Sequence, residues 1–235
     1  MPAVRRPAEF DAFAPNYDAG MGDPLKHLAG GSADTFLEQR AAWLLRNLSP
    51  TGRLLDFGCG TGDFLRALRR ADAPLELVGC DVAAGMLEEA TRRWDAGPVP
   101  ALHAVPPGPL PFADAEFDVV TAVSVFHHIA ADEQVSVVRE LLRVLRPDGA
   151  VVIFEHNPAN PVTRWLVQRA AIDANAVLLW PRQCIRLLRQ AGAATCHTSY
   201  LLFFPPRLRM LWQVERVLGW LPLGGAYVTV GRRSG

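Results

Sequence analysis

The most constraining stretch of this chain is Leu54-Leu55-Asp56-Phe57-Gly58-Cys59-Gly60-Thr61-Gly62. An apolar run, Arg53–Gly58, reads as a buried strand that ends in glycine. Two more glycines follow at every second position. The next segment, Asp63–Ala71, carries Phe64, Leu65 and Leu68 at helical spacing. Glycine adopts positive φ without strain and lets a ligand approach the backbone. A strand, a glycine turn and a helix in that order commit the region to a ligand-binding turn of an α/β domain.

The rest of the chain extends the pattern. Leu75–Asp81 and Ala101–Val105 read as strands, with a helix at Gly85–Trp94 between them. Phe117–Val125 is the most β-rich run. Glu133–Leu145 repeats apolar residues at i, i+3, i+4 and is expected to end at Arg146-Pro147-Asp148-Gly149. Ala150–Glu155 is a fifth strand, Arg182–Ala191 a helix, and Cys196–Phe204 and Ala226–Gly231 two closing strands. Such alternation implies a mainly parallel sheet covered on both faces, with ligands beyond the carboxyl ends of the strands. That rule selects Gly58–Gly62, Asp81, Val123–His128 and Glu155–Asn157. Two segments lie outside the alternation: residues 1–50, with Phe10, Phe13, Tyr17, the Gly-rich stretch 20–31 and a helix near Thr35–Leu48, and residues 156–181. Both are expected to fold over the strand ends as a lid.

The glycine spacing and its flanking acids narrow the ligand. A nicotinamide-binding turn reads G-x-G-x-x-G, whereas here the third glycine comes one position early and Asp63 stands in its place. No Gly-Lys-Ser/Thr follows, which excludes a nucleotide P-loop. Asp56, two residues before Gly58, would repel a pyrophosphate but attract the sulfonium and ammonium of S-adenosylmethionine (SAM). Asp81, about 20 residues past the turn at a strand end, is placed to accept hydrogen bonds from ribose hydroxyls. These residues point to SAM. A nucleotide-dependent oxidoreductase is the reading they disfavour.

These motifs resemble those of class I SAM-dependent methyltransferases of the UbiE-like small-molecule group. Leu54–Gly62 is similar to the family's first motif, and Leu77–Val82 with Met86 to its second. Leu110-Pro111-Phe112 with Phe117-Asp118-Val119-Val120, and Leu141–Ile153, resemble the segments that follow. Phe10…Tyr17-Asp18 resembles the N-terminal cap. The resemblance implies a Rossmann-like, doubly wound sheet of seven strands, the last antiparallel beside the fifth, with helices on both faces and an N-terminal helical cap. It implies one domain over 1–235: a cap at 1–50, a cofactor-binding core at 51–156, and a substrate-side insertion with closing strands at 157–235. By position, Gly58, Cys59 and Gly60 would line the methionine part of SAM and Asp81 the ribose. Val82 and Met86 would touch adenine, Val123 would offer backbone near the methionine end, and Tyr17 would close over it. The chain departs from the family at His103–Pro109, where the usual adenine-binding acid is missing, leaving backbone groups or His103 for that contact.

The implied activity is transfer of a methyl group from SAM, with S-adenosylhomocysteine as product, to an O, N or C atom of a small molecule, in natural-product or lipid/cofactor biosynthesis. The alternative of another class is a SAM-binding protein that does not transfer methyl. Where the acceptor must lose a proton, His127, His128, Glu155 and His156 are the candidate catalytic residues, since imidazoles and carboxylates at strand ends suit proton removal. Glu155-His156 reads as a candidate pair, competing with turn chemistry in Asn157-Pro158 and Asn160-Pro161. No metal site is expected, and the four cysteines form no C-x-x-C pair.

Net charge is zero, which disfavours a nucleic-acid partner. Its distribution is uneven: residues 1–156 hold 14 basic and 22 acidic side chains, residues 157–235 hold 10 and 2. The basic, tryptophan-bearing last third suggests either a core helix with solvated arginines, with Leu208, Leu211, Trp212 and Leu218 on one face, or an apolar chamber for an acceptor with an anionic group. Transient contact with an anionic membrane surface is a further option. No run is long and apolar enough to span a bilayer, and residues 1–6 lack a signal-peptide core. A cytoplasmic setting is the expectation; oligomeric state is open.

Overall fold

The computed structural model describes residues 10, 11, 14, 33–173 and 176–234. Its order is α1 (Ala33–Leu48), β1 (Gly52–Phe57), α2 (Asp63–Arg70), β2 (Leu75–Asp81), α3 (Ala84–Arg93), β3 (Ala101–Ala104) and β4 (Phe117–Val123). There follow α4 (Gln134–Val144), β5 (Leu145–His156), α5 (Pro161–Val167), α6 (Pro181–Ala191), β6 (Thr195–Leu201), α7 (Glu215–Leu218) and β7 (Ala226–Arg232). Short 3-10 turns lie at Phe126–His128, Ala171–Asp173 and Pro206–Gln213.

The seven strands stand in the order β3-β2-β1-β4-β5-β7-β6. β1 to β5 run parallel, and β7 inserts antiparallel between β5 and β6. This is the doubly wound architecture expected from the alternation. The strand order reverses between β1 and β4, which opens a crevice beyond their carboxyl ends.

Consecutive residues of the inner strands feed opposite faces. Leu54, Leu77, Val152 and Phe154 join Trp43, Leu44, Phe64 and Leu68 on one side. Leu55, Val78, Val120 and Ile153 join Leu141, Leu188 and Tyr227 on the other. Period-two alternation with both faces apolar is what a central parallel strand requires. Each of these buried side chains contributes about 1.5–3 kcal/mol of transfer free energy. α1 is fixed on α2 by the buried guanidinium of Arg66, which reaches Asp34 (3.3 Å) and Asp63 (2.8 Å).

Two expectations need correction. The turn Arg146–Gly149 does not end α4: the helix stops at Val144, Leu145 is already extended, and β5 starts there. The register with β4 shifts between Phe117 and Val119, which accommodates the extra residues as an irregularity within the ladder. The stretch around Leu208–Leu218 is not a core helix. It breaks at Leu208 (φ −105°, ψ 31°), and most of its apolar side chains face outward, Met210 being 89% and Trp220 76% exposed, while Trp212 and Leu218 are half-buried.

Candidate active site

The glycine turn is held by its neighbours' backbone. Gly58 and Cys59 both donate their N–H to the carbonyl of Cys80, at 2.8 and 3.0 Å. Gly58, Gly60 and Gly62 have φ of +70°, +51° and +72°, the left-handed region. They differ in what surrounds them. A Cβ on Gly58 would lie 2.7 Å from a methyl of Val125, whereas a Cβ on Gly60 would meet nothing within 4 Å. Gly58 is therefore needed for packing, and Gly60 borders open space. Gly79 in β2 is a further requirement that sequence spacing did not reveal: its Cβ would stand 2.8 Å from both the Cys59 sulfur and Leu102.

Asp81 joins the turn to the next helix. One carboxylate oxygen accepts from Gly60 N–H (2.8 Å) and the other from Ala83 N–H (2.9 Å). A carboxylate offers about four lone-pair sites, so acceptor capacity remains beside these bonds and the Val82 N–H. Burial pushes the Asp81 carboxyl above its ordinary range, and the backbone N–H bonds pull it back in part. Asp56 is more deeply set, 1% exposed, and accepts the Thr121 hydroxyl at 2.7 Å. Burial pushes its pKa up to about 7. The charge argument from sequence treated Asp56 as facing a ligand; the structure sets it inside the sheet, with Thr121 as a partner that sequence reading missed. Cys59 and Cys80 are buried thiols pushed up by burial, and so are inert.

Val82 is exposed beside this turn, while Met86 is buried in a small cluster with Ala14, Ala83 and Ile172. Asp11 accepts the Gly85 N–H at 2.8 Å. Asp11, Ala14 and Ile172 thus meet at the start of α3. His103 packs its ring edge-to-face on Phe112. Val123 ends β4, and Ser124 after it takes φ +58°, its N–H bonded to Phe154 O. Tyr17 lies outside the described residues.

The four catalytic candidates converge, but not as sequence adjacency suggested. Glu155 pairs with His127 rather than with His156. Its Oε2 lies 2.5 Å from His127 Nδ1, and its Oε1 accepts Phe126 N–H at 2.8 Å. Both side chains are fully buried. The reason is strand alternation and topology: Glu155 ends β5 directly beside β4, so it meets the turn that leaves β4. His127 Nε2 and His128 Nε2 each lie 3.4 Å from Asp173 Oδ1, and the two rings are 4.2 Å apart. The His156 ring is 5.4 Å from that of His127. Asp173 and the buried Arg40 beneath Glu155 are the members that sequence reading missed. Asp173 is one of only two acids in the basic last third, which was the available signal.

The protonation states follow from the neighbours. Burial alone would lower the His127 pKa, but the Glu155 and Asp173 carboxylates outweigh it and raise it to about 10. His127 therefore holds its proton at neutral pH. Burial lowers His128, and lowers His156 to about 4, so both are neutral. The competing turn reading of Asn157 and Asn160 holds. Asn157 Nδ2 donates to Gly224 O (2.7 Å), and Asn160 caps α5 by accepting Thr163 N–H (3.0 Å).

Asp173 also lines a cavity of about 210 Å³ with Arg164, Val167, Gln168, Ala176 and Leu178. The cavity lies in the segment expected to cover the strand ends.

The comparisons with known proteins agree with this geometry. A family model described as a methyltransferase domain matches residues 55–153. Demethylmenaquinone methyltransferase of Thermotoga maritima is 34% identical over 153 residues, covering 64% of this chain and 61% of that protein. The enzyme of the same name from Thermus thermophilus is 35% identical over 150 residues, covering 63% and 64%. The chain thus spans somewhat under two thirds of the length of these relatives. A SAM-dependent methyltransferase from Archaeoglobus fulgidus has the same fold, with a TM-score of 0.65 at 16% identity over 88% of this chain and 97% of that one. The strand order, glycine turn and Asp81 clamp fall in or around the matched segment 55–153, over which the chain resembles class I, SAM-dependent methyltransferases of the UbiE-like group.

Proposed function

We propose that this chain transfers the methyl group of SAM to an oxygen, nitrogen or carbon atom of a small organic acceptor. The observation that carries the reading is the Asp81 clamp: one carboxylate fixes Gly60 and Ala83 while open space borders Gly60. The backbone of Gly58, Cys59 and Gly60 would take the methionine part, Asp81 the ribose hydroxyls, and Val82 and Met86 the adenine, with Val123 beside the methionine end. Bound there, SAM supplies an electrophilic methyl group. The protein's share of the catalysis is then largely placement of the acceptor in line with it. Asp56, buried under the turn, adds a carboxyl whose ionisation a nearby cation favours.

The acceptor belongs in the cavity beside Asp173. Val167 and Leu178 suit an apolar body and Arg164 an anionic end. Glu155 and protonated His127 act as a positioning pair. His128, neutral and partly accessible, is the side chain that contacts the acceptor. We read the chain as one domain, with 1–50 as cap, 51–156 as cofactor core and 157–235 as acceptor side, working in the cytoplasm. No helix among the described residues is long and apolar enough to cross a membrane. The exposed Met210, Val217 and Trp220 beside Arg209 and Arg216 suit peripheral contact with an anionic lipid surface.

The test is release of S-adenosylhomocysteine by the full chain with a panel of acceptors. The panel starts from demethylmenaquinone, named for the relatives, and extends to smaller aromatic acids and phosphates. Acceptor-dependent release is expected. SAM binding by calorimetry with no turnover across the panel would instead favour a protein that holds the cofactor without transferring methyl.

A further inference from the structure

We propose that His127, His128 and Asp173 form a binding site for one divalent transition-metal ion, zinc in the first instance. Three observations carry this, none of which depends on methyl transfer.

The first is spacing. The two Nε2 atoms approach the same Asp173 Oδ1 at 3.4 Å each, and all three donor atoms lie within 4.8 Å of one another. Zinc held by imidazole and carboxylate at about 2.0–2.2 Å in a tetrahedron has ligand–ligand edges of roughly 3.3–3.5 Å. Both nitrogen–oxygen edges already have that length. A direct charge-assisted hydrogen bond would be shorter, about 2.7–2.9 Å.

The second is an orphan atom. His127 Nε2 is buried, in a side chain with no exposed surface, and makes no hydrogen bond of good geometry, with Asp173 Oδ1 standing off at 3.4 Å. Buried nitrogens in native proteins are nearly always satisfied, and one that is not points to an ion or a solvent molecule. An ion between this nitrogen and Asp173 would displace the proton that His127 Nε2 carries in the metal-free protein, while the Nδ1 proton stays directed to Glu155.

The third is the support behind it. Glu155 takes the other nitrogen of the same ring at 2.5 Å, and is itself held by Phe126 N–H. A carboxylate on the far nitrogen fixes ring orientation and strengthens the near nitrogen as a ligand. Two imidazoles and one carboxylate are a borderline donor set that suits zinc and its first-row neighbours rather than magnesium or calcium. The sequence expectation of no metal arose because the third ligand lies 45 residues from the histidines. An ion here would fasten the segment carrying Asp173 to the end of β4 and leave a coordination position for solvent or a donor in the cavity. His128 would then act on the acceptor through the ion it holds.

The experiment is titration of the untagged, chelator-treated full chain with zinc by competition calorimetry, and with cobalt as an optical probe, without SAM or acceptor. One equivalent is expected, with the intense visible absorption of tetrahedral cobalt and no thiolate charge-transfer band. Asp173→Asn and His128→Gln, both at partly accessible positions, should each weaken binding by at least about 10–100-fold while melting as folded proteins. Absence of stoichiometric binding would overturn the site. Equal affinity in both variants, or a thiolate band placing the ion on cysteine, would do the same. Since only metal is read, a failed acceptor panel leaves this result standing, and the reverse also holds.

Discussion

The glycine turn and the histidine cluster lie at neighbouring strand ends, yet they are built by opposite means. The turn is made of backbone: three positive-φ glycines, two N–H groups on Cys80 O, and one carboxylate spanning Gly60 and Ala83. Its members sit within 26 residues of each other. The cluster is made of side chains from three separate segments, joined by the 2.5 Å Glu155–His127 contact and the approach of Asp173. A backbone site tolerates little change in conformation. A side-chain site depends on charge balance in a buried space.

That contrast is sharpest at Glu155. Glu155→Gln leaves protonated His127 buried without its partner, a loss of about 3–5 kcal/mol in denaturant unfolding. It should also change the pH profile. His127 is raised from 6.5 to about 10, so the folded state binds the extra proton between those values. Its contribution is complete below pH 6.5 and is lost as pH rises through about 10. The metal-free wild type should show that alkaline loss of stability, and the variant a smaller one, since Asp173 remains beside His127. SAM affinity, if the two regions are independent, changes little in the variant that remains folded.

On the backbone side, Gly58→Ala should destabilise by about 2–3 kcal/mol, since a Cβ at 2.7 Å from Val125 adds overpacking to an unfavourable φ. Gly60→Ala meets open space and should cost only about 1 kcal/mol of stability. It should nonetheless weaken SAM more than its stability loss suggests, because the added methyl enters the space a ligand would use. Chemical denaturation and calorimetry on the same pair separate the two. Equal effects on both measures would mean that Gly60 does not border the ligand. The smallest effect belongs to the outward apolar surface: Trp220→Ala should shift stability by under about 0.5 kcal/mol, and matter only in salt-sensitive co-sedimentation with anionic vesicles.

The same contrast explains what could be read in advance. Strands ending at Phe57 and Asp81 follow from apolar runs closed by glycine or acid, and β4 from the most β-rich run of the chain; all lie in the expected segments. Asp81 was singled out by its strand end and its spacing from the turn, but its bonds to Gly60 and Ala83 were not foreseen. The pairing of Glu155 with His127 was not, because it depends on β4 and β5 lying side by side. Adjacency in sequence pointed to His156, whose ring lies near that of His127 but which does not take the Glu155 carboxylate. Asp173 carried a fainter sign: it and Glu215 are the only acids after residue 156, and both are turned inward, Glu215 accepting the N–H groups of Leu202, Phe203 and Phe204. The misread stretch around Leu208 has helical periodicity in its leucines, but the break at Leu208 leaves that face without a core to cover.

The central claim is that Asp81 and the glycine turn hold SAM, and calorimetric titration of wild type and Asp81→Ala tests it most directly. The wild type should bind one equivalent. On the proposed placement the variant would lose charge-assisted bonds to both ribose hydroxyls, worth about 3 kcal/mol or more, and should bind roughly 100-fold more weakly while still unfolding cooperatively. Unchanged SAM affinity in a folded Asp81→Ala protein, or no binding by the wild type, would contradict the account.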